Sequence, residues 1–144
     1  MDAAIKNKIK GLRRKSKFAY VSSINEEGFP QIKCMFVIKD DNPRIHYFST
    51  NTSTKRVQQF LANPKASVYY CNNLLFKGAL FTGMMEVLTD DETKARFWEK
   101  GDEKYYPLGA TDPDYCILRF TAETVNYYQR LHNTTASIDE LLSD

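Results

Sequence analysis

The residues best suited to chemistry lie in one polar run, Ser49-Thr50-Asn51-Thr52-Ser53-Thr54-Lys55-Arg56. Hydroxyl and amide side chains of kinds that favour N-caps and turns over helix interiors are followed by two cations. Val57, Phe60 and Leu61 then recur at i, i+3, i+4, which predicts a helix with that face buried and with Lys55 and Arg56 in its first turn. A helix N-terminus carries partial positive charge on its free N–H groups and normally attracts carboxylates. Two cations there, beside hydroxyls, make an anion site, most naturally for phosphate. The same residues also read as a plain cap with both cations in water.

The other candidates are weaker. Cys34, Cys71 and Cys116 are odd in number, far apart and without a histidine at metal-ligand spacing, so they read as buried or idle thiols. His46, inside a strand-like run, and His132, near the C-terminus, read as ordinary structural or surface residues. No G-x-G-x-x-G, Walker lysine loop, H-E-x-x-H or G-x-S-x-G occurs, which removes the main support for dinucleotide folds, phosphoryl transfer, zinc hydrolysis and serine hydrolysis.

The elements around the polar run alternate short strands with turns. Residues 18–24 are β-prone, and a turn with Gly28 leads to a returning strand, Gln31 to Lys39, whose nearly continuous apolar middle predicts burial on both faces. A strand from Arg44 to Phe48 leads into the polar run, and the helix after it ends near Asn63-Pro64, since proline disfavours helix at the preceding residue. Strands follow at 66–71 and 78–88, with Gly83 marking a bulge or a close backbone approach. A second helix opens at Asp90-Asp91-Glu92 and carries Ala95, Phe97 and Trp98, and residues 101–114 are irregular. The last strands, 115–121 and 124–128, are joined at Ala122-Glu123. The polar tail, 134–144, reads as loosely held, with a short helix at Ile138, Leu141 and Leu142. About six or seven strands joined mostly by tight turns favour an antiparallel barrel with helices outside over a doubly wound parallel sheet.

A chain of 144 residues fits one domain, 1–144. No basic-then-apolar leader and no apolar run of bilayer-spanning length is read, so a cytoplasmic protein with no membrane partner is expected. The net charge of +2 is uneven: residues 1–17 hold seven of the 20 basic residues and one of the 18 acidic ones, which leaves the remainder at −4. Such a segment can be an arm for nucleic acid or a membrane surface. Ile5, Ile9 and Leu12 recur at helical spacing and favour an amphipathic helix packed on the domain, with its lysines in water. Nucleic acid is disfavoured, because no aromatic residue interleaves the charges before Phe18.

The order and wording of these stretches resemble the pyridoxamine 5′-phosphate oxidase-like flavoproteins, the FMN-binding split-barrel family, and within it the short general-stress-protein branch. Four stretches carry the resemblance: Phe18 to Phe36, with Gly28-Phe29-Pro30; Tyr47 to Tyr70, with Ser49-Thr50, Lys55-Arg56 and Asn63-Pro64; Gly78 to Leu88; and Trp98 to Phe120, with Tyr106-Pro107, Gly109, Asp112-Pro113 and Leu118-Arg119-Phe120. It implies a mainly β fold, an antiparallel split barrel of about six or seven strands with flanking helices, in a homodimer with FMN at its interface. It also implies that Lys55 and Arg56 pair with the FMN phosphate, with Ser49 and Thr50 close to the phosphate and ribityl chain. Lys33 would reach the cofactor, while Cys34, Met35 and Phe36 would run along the flavin ring. Trp98 matches a tryptophan of the stress-protein branch and would lie near the cofactor, with helix packing as the alternative.

Gly78 stands where the oxidase tends to carry a glutamine, and no counterpart of its C-terminal Arg-and-His-bearing segment is read. The implied activity is therefore that of an FMN-dependent oxidoreductase acting on an unknown small molecule, not pyridoxamine phosphate oxidation. Related split barrels that handle haem or use a deazaflavin keep a second reading open, a non-catalytic binding or sensing protein. Haem would ask for an axial ligand such as His46 or His132.

Overall fold

The computed structural model describes residues 1–144. Its strands are β1 (Phe18–Ile24), β2 (Pro30–Phe36), β3 (Ile45–Asn51), β4 (Lys65–Asn72), β5 (Lys77–Leu88), β6 (Tyr115–Gln129) and β7 (His132–Ser137). The helices are α1 (Ala3–Lys15), α2 (Lys55–Ala62), α3 (Asp91–Phe97) and α4 (Ile138–Leu142). The sheet is mainly β in class and antiparallel throughout, in the order β2-β1-β4-β5-β6-β3, with β7 added on β6. It curls until its edge strands approach at one isolated bridge, Ile38 to Tyr47. Beyond that bridge β2 and β3 do not pair, so the barrel is split along this side.

The inner face holds Val21, Phe48, Phe60, Val68, Phe81 and Phe120, all essentially out of water. Each such side chain contributes roughly 1.5–3 kcal/mol relative to exposure. Helix α1 is capped by Asp2, whose Oδ1 accepts from the Ile5 N–H at 2.9 Å, and it buries Ile9 and Leu12. Not all its cations face water: Arg13 is buried, donating to the carbonyls of Asp40 (2.6 Å) and Ile45 (2.8 Å) and to His46 Nδ1 (3.3 Å). His46 is a core residue whose Nε2–H donates to the Pro43 carbonyl at 2.8 Å, which leaves Nδ1 to accept from Arg13 and from the Tyr70 hydroxyl (2.6 Å). Burial, aided by the Arg13 guanidinium, lowers its pKa to about 3, so the ring is neutral.

Four local expectations need correction. The returning strand ends at Phe36, and in place of burial on both faces only Met35 is buried along it, because β2 is an edge strand with nothing packed on its outer side. Leu61 is exposed, since α2 turns only Val57 and Phe60 inward. The two last strands are one: β6 runs unbroken, and its pairing with β5 shifts at Thr82/Gly83, so that Glu123 is the extra residue of a bulge. Gly83 is required there, since a Cβ would stand 2.0 Å from the Thr121 carbonyl oxygen. The tail is not loose, for β7 pairs along β6 and α4 buries Ile138 and Leu141. No helix is long and apolar enough to cross a membrane.

Candidate functional site

Pairing with β6 carries β3 on through Ser49, Thr50 and Asn51, opposite Ile117, Cys116 and Tyr115, further than turn-forming side chains alone suggest. The turn is confined to residues 52–54, and Asp114 fastens it. The Asp114 carboxylate accepts from Asn51 Nδ2 and from the Ser53 N–H, each at 2.8 Å, and its carbonyl accepts from the Thr52 N–H, also at 2.8 Å. The bonds from Asn51 and Ser53 hold its carboxyl below the usual range. Nothing local in the sequence signals this role, because Asp114 lies about sixty residues away and meets the turn only through the β3–β6 ladder. Thr54 then caps α2, its Oγ1 accepting from the Val57 N–H at 3.3 Å.

Strand alternation divides the expected site residues. Lys33 and Met35 pair with Val21 and Ala19 and share their inner face, whereas Cys34 and Phe36 pair with Tyr20 and Phe18 on the outer face. Phe36 is 71% exposed and packs on Phe18, with ring centroids 5.0 Å apart. Thr50 points into the main core beside Cys116, and Ser49 to the opposite face of β3. Trp98 lies on that opposite face, against Tyr115 (5.3 Å) and Tyr106 (6.1 Å).

The structure does bring Lys33, Lys55 and Arg56 together. They line one cleft of about 170 Å3 between the β1–β2 hairpin and α2, with Ser23, Gln31 and Gln59. No carboxylate lines it. Through Gln31, Lys55 and Gln59 it adjoins a larger polar cavity of about 510 Å3 that Asn25, Glu26, Glu27 and Gln58 complete. Ser23 and the two glutamines were missed by sequence reading, since none of the three sits in a motif with recognisable chemistry; the Ser23 hydroxyl donates to Gln59 Oε1 across β1 and α2.

Arg56 is the centre of this arrangement. Its Nη2 donates to Thr50 Oγ1 at 3.0 Å, while its Nε is buried with no partner. The one other buried side-chain polar atom in this condition is Thr52 Oγ1, in the same segment. Burial without an opposed carboxylate lowers the Arg56 pKa from its ordinary value. An unsatisfied buried donor costs about 1–3 kcal/mol, more when charged, so an acceptor brought to this atom would stabilise the site. It contains no nucleophile hydrogen-bonded to a base, and what it can do chemically is hold an anion.

A sequence profile of the family described as pyridoxamine 5′-phosphate oxidase matches residues 5–129. The chain belongs to that family. Another member, a pyridoxine/pyridoxamine 5′-phosphate oxidase of Caulobacter vibrioides, is 28% identical over 92 residues, which span 64% of this chain and 41% of that enzyme. The chain thus matches less than half the length of its curated relative. A Clostridium acetobutylicum protein of the pyridoxinephosphate oxidase family, related to general stress protein 26 of B. subtilis, is 40% identical in its crystal structure, with a TM-score of 0.89 over 98% of this chain and 99% of that one. The pyridoxamine 5′-phosphate oxidase fold reaches further. A haem-binding protein from Mycobacterium smegmatis shares it at 11% identity (TM-score 0.75, covering 98% of this chain and 61% of that one). An F420 reductase shares it at 17% identity (TM-score 0.63, covering 81% and 94%).

Proposed function

We propose that the cleft holds the phosphate of FMN and that the protein is a flavin-dependent oxidoreductase acting on a small molecule. The observation that carries this reading is a cleft that Lys33, Lys55 and Arg56 line together and no carboxylate enters, with the Arg56 Nε buried and without a partner. The residues fit a phosphate dianion, which accepts charge-assisted hydrogen bonds from several cations at once. Family membership supports a flavin in particular, since members typically bind one. Lys55, Arg56 and Lys33 would hold the phosphate, with Thr50 keeping the Arg56 guanidinium in place. The backbone edge of β2 that faces away from β1 has groups free to hydrogen-bond a planar ring. Bound there, FMN would supply hydride or two-electron transfer, which explains why the chain needs no acid, base or nucleophile of its own. Ser49 and Trp98, on the far face of β3, are left out of this assignment.

The same reading makes the protein a homodimer. Ile32 (73% exposed) and Phe36 continue an apolar outer face with Phe18, Tyr20, Tyr69 and Leu80, around a trough of about 530 Å3. An unpaired apolar edge of this kind is a liability unless covered, and a second copy would cover it. His46 is disfavoured as a haem ligand, since both its ring nitrogens are engaged in the core.

The test is an absorbance spectrum after incubation with excess FMN and desalting, followed by anaerobic NADH or NADPH. Retained flavin that is lost in Lys55→Ala/Arg56→Ala, with folding intact, supports the site. No retention by the parent protein, or equal retention by the double variant, overturns it. Bleaching by a nicotinamide separates an oxidoreductase from a protein that stores or senses the cofactor.

A further inference from the structure

At the opposite end of β1 and β4 from the cleft, the chain shows an apolar tip. The β4–β5 turn carries Leu74, Leu75 and Phe76, and the adjoining β6–β7 turn carries Leu131. Leu74 is 93% and Leu131 99% exposed, and Leu75 and Phe76 are exposed as well. The two turns are tied together, with the Arg130 N–H donating to the Phe76 carbonyl at 3.1 Å and the Phe76 ring against Tyr128 at 5.9 Å. Phe76 (φ 49°) and Arg130 (φ 56°) are the chain's two non-glycine residues in the left-handed region. Glycine or asparagine would fill such positions with less strain, so large side chains are kept at the tip against backbone preference.

Beside the tip runs a groove of about 590 Å3 between α1 and the β4–β5 turn. Lys8 and Lys15, two turns apart on one face of α1, line it with Lys77 and Leu75, and no carboxylate does. Lys77 is half-buried, and Arg130 adds an exposed cation at the tip itself. Protruding leucines and a phenylalanine backed by unopposed lysines match a surface with an apolar interior and an anionic face.

We propose that this tip docks the protein on an anionic lipid bilayer, with Leu74, Leu75, Phe76 and Leu131 entering the headgroup layer and Lys8, Lys15, Lys77 and Arg130 facing the lipid phosphates. The absence of a spanning helix has no bearing on such peripheral contact. The inference is independent of the flavin, whose cleft lies at the other end of the barrel.

The full chain is sedimented with vesicles of phosphatidylcholine alone and with vesicles containing added phosphatidylserine. Binding should appear with the anionic vesicles only. It should weaken roughly tenfold or more in Lys8→Gln/Lys77→Gln and in Leu74→Ser/Leu131→Ser, each checked for an unchanged circular dichroism spectrum. No binding, equal binding to both vesicle types, or unchanged binding by both variants overturns the proposal. So does elution of Leu74→Ser/Leu131→Ser as a smaller species than the parent, because the tip would then be a contact between chains.

Discussion

Two arginines reach into the barrel under similar constraints and end differently. Arg13 enters from α1, is buried, and has all its reach answered from within the chain, by two carbonyls and the Nδ1 of a neutral histidine. Arg56 enters from the start of α2 beside the split, finds one hydroxyl, and keeps a buried Nε without a partner. Neither faces a carboxylate in the chain's ion pairs. The two cations carry the same charge and differ in two ways: Arg13 is buried where Arg56 is half-buried, and only Arg13 finds acceptors within the chain for all its reach.

The largest effect expected from this contrast is at the closed end. Arg13→Ala leaves the Asp40 and Ile45 carbonyls short of a donor, while His46 Nδ1 keeps the Tyr70 hydroxyl, and each unsatisfied buried group costs about 1–3 kcal/mol. A loss of roughly 3 kcal/mol or more in urea unfolding is expected. A loss below about 1 kcal/mol would mean that water or local relaxation replaces the guanidinium, and Arg13 would cease to be the satisfied member of the pair.

The pH dependence sharpens the same contrast. The folded pKa of His46, about 3, lies below the histidine reference of 6.5, so the unfolded chain binds the proton first. Stability from this group is complete above about pH 6.5 and drains as the pH falls toward 3. Between pH 7 and pH 5 the loss should be about 2 kcal/mol, read from urea midpoints. His46→Gln should flatten that slope. A slope that survives the substitution would show that the closed end is not where acid acts.

How far the site could be read from sequence follows from which forces are local. The helix with Lys55 and Arg56 at its start and a hydroxyl residue capping it are written in consecutive residues and stand where expected, whereas Ser49, Thr50 and Asn51 of the hydroxyl cluster are drawn into β3 by pairing with β6. The strand, turn and helix order likewise follows from short-range patterns. Lys33 joins the same cleft only because β2 is the edge of a split barrel, a matter of topology. Asp114 and Gln59 are invisible for the same reason, each meeting its partner across strands far apart in sequence. The apolar run in β2 was misread for a different cause: apolar residues on an edge look like core until the sheet order shows that nothing covers them.

A smaller effect belongs to the open end. Inorganic phosphate at about ten times its Kd should raise the unfolding free energy of the parent by about 1.4 kcal/mol, through mass action on the folded state. Lys55→Ala/Arg56→Ala should show no such rise, while Arg13→Ala, though weakened, should keep it. A parent protein that phosphate does not stabilise would break the comparison, because Arg56 would then lack the external acceptor that sets it apart.

The smallest expected effect is the most discriminating. Arg56→Ala without any anion removes one hydrogen bond to Thr50, but it also removes the buried Nε that nothing satisfies. A bond to a charged group contributes roughly 1.5–3 kcal/mol and an unsatisfied donor costs about 1–3 kcal/mol, so the two terms nearly cancel. Urea unfolding in a buffer free of phosphate and sulfate should place this variant within about 1 kcal/mol of the parent. Arg13→Ala has no such cancellation, because every bond it breaks leaves an acceptor behind. If Arg56→Ala instead weakened the fold as much as Arg13→Ala, its guanidinium would be holding the barrel and the anion reading of the cleft would lose its basis. A near-silent Arg56→Ala in a protein that phosphate stabilises would mean that this cation serves the ligand and not the fold.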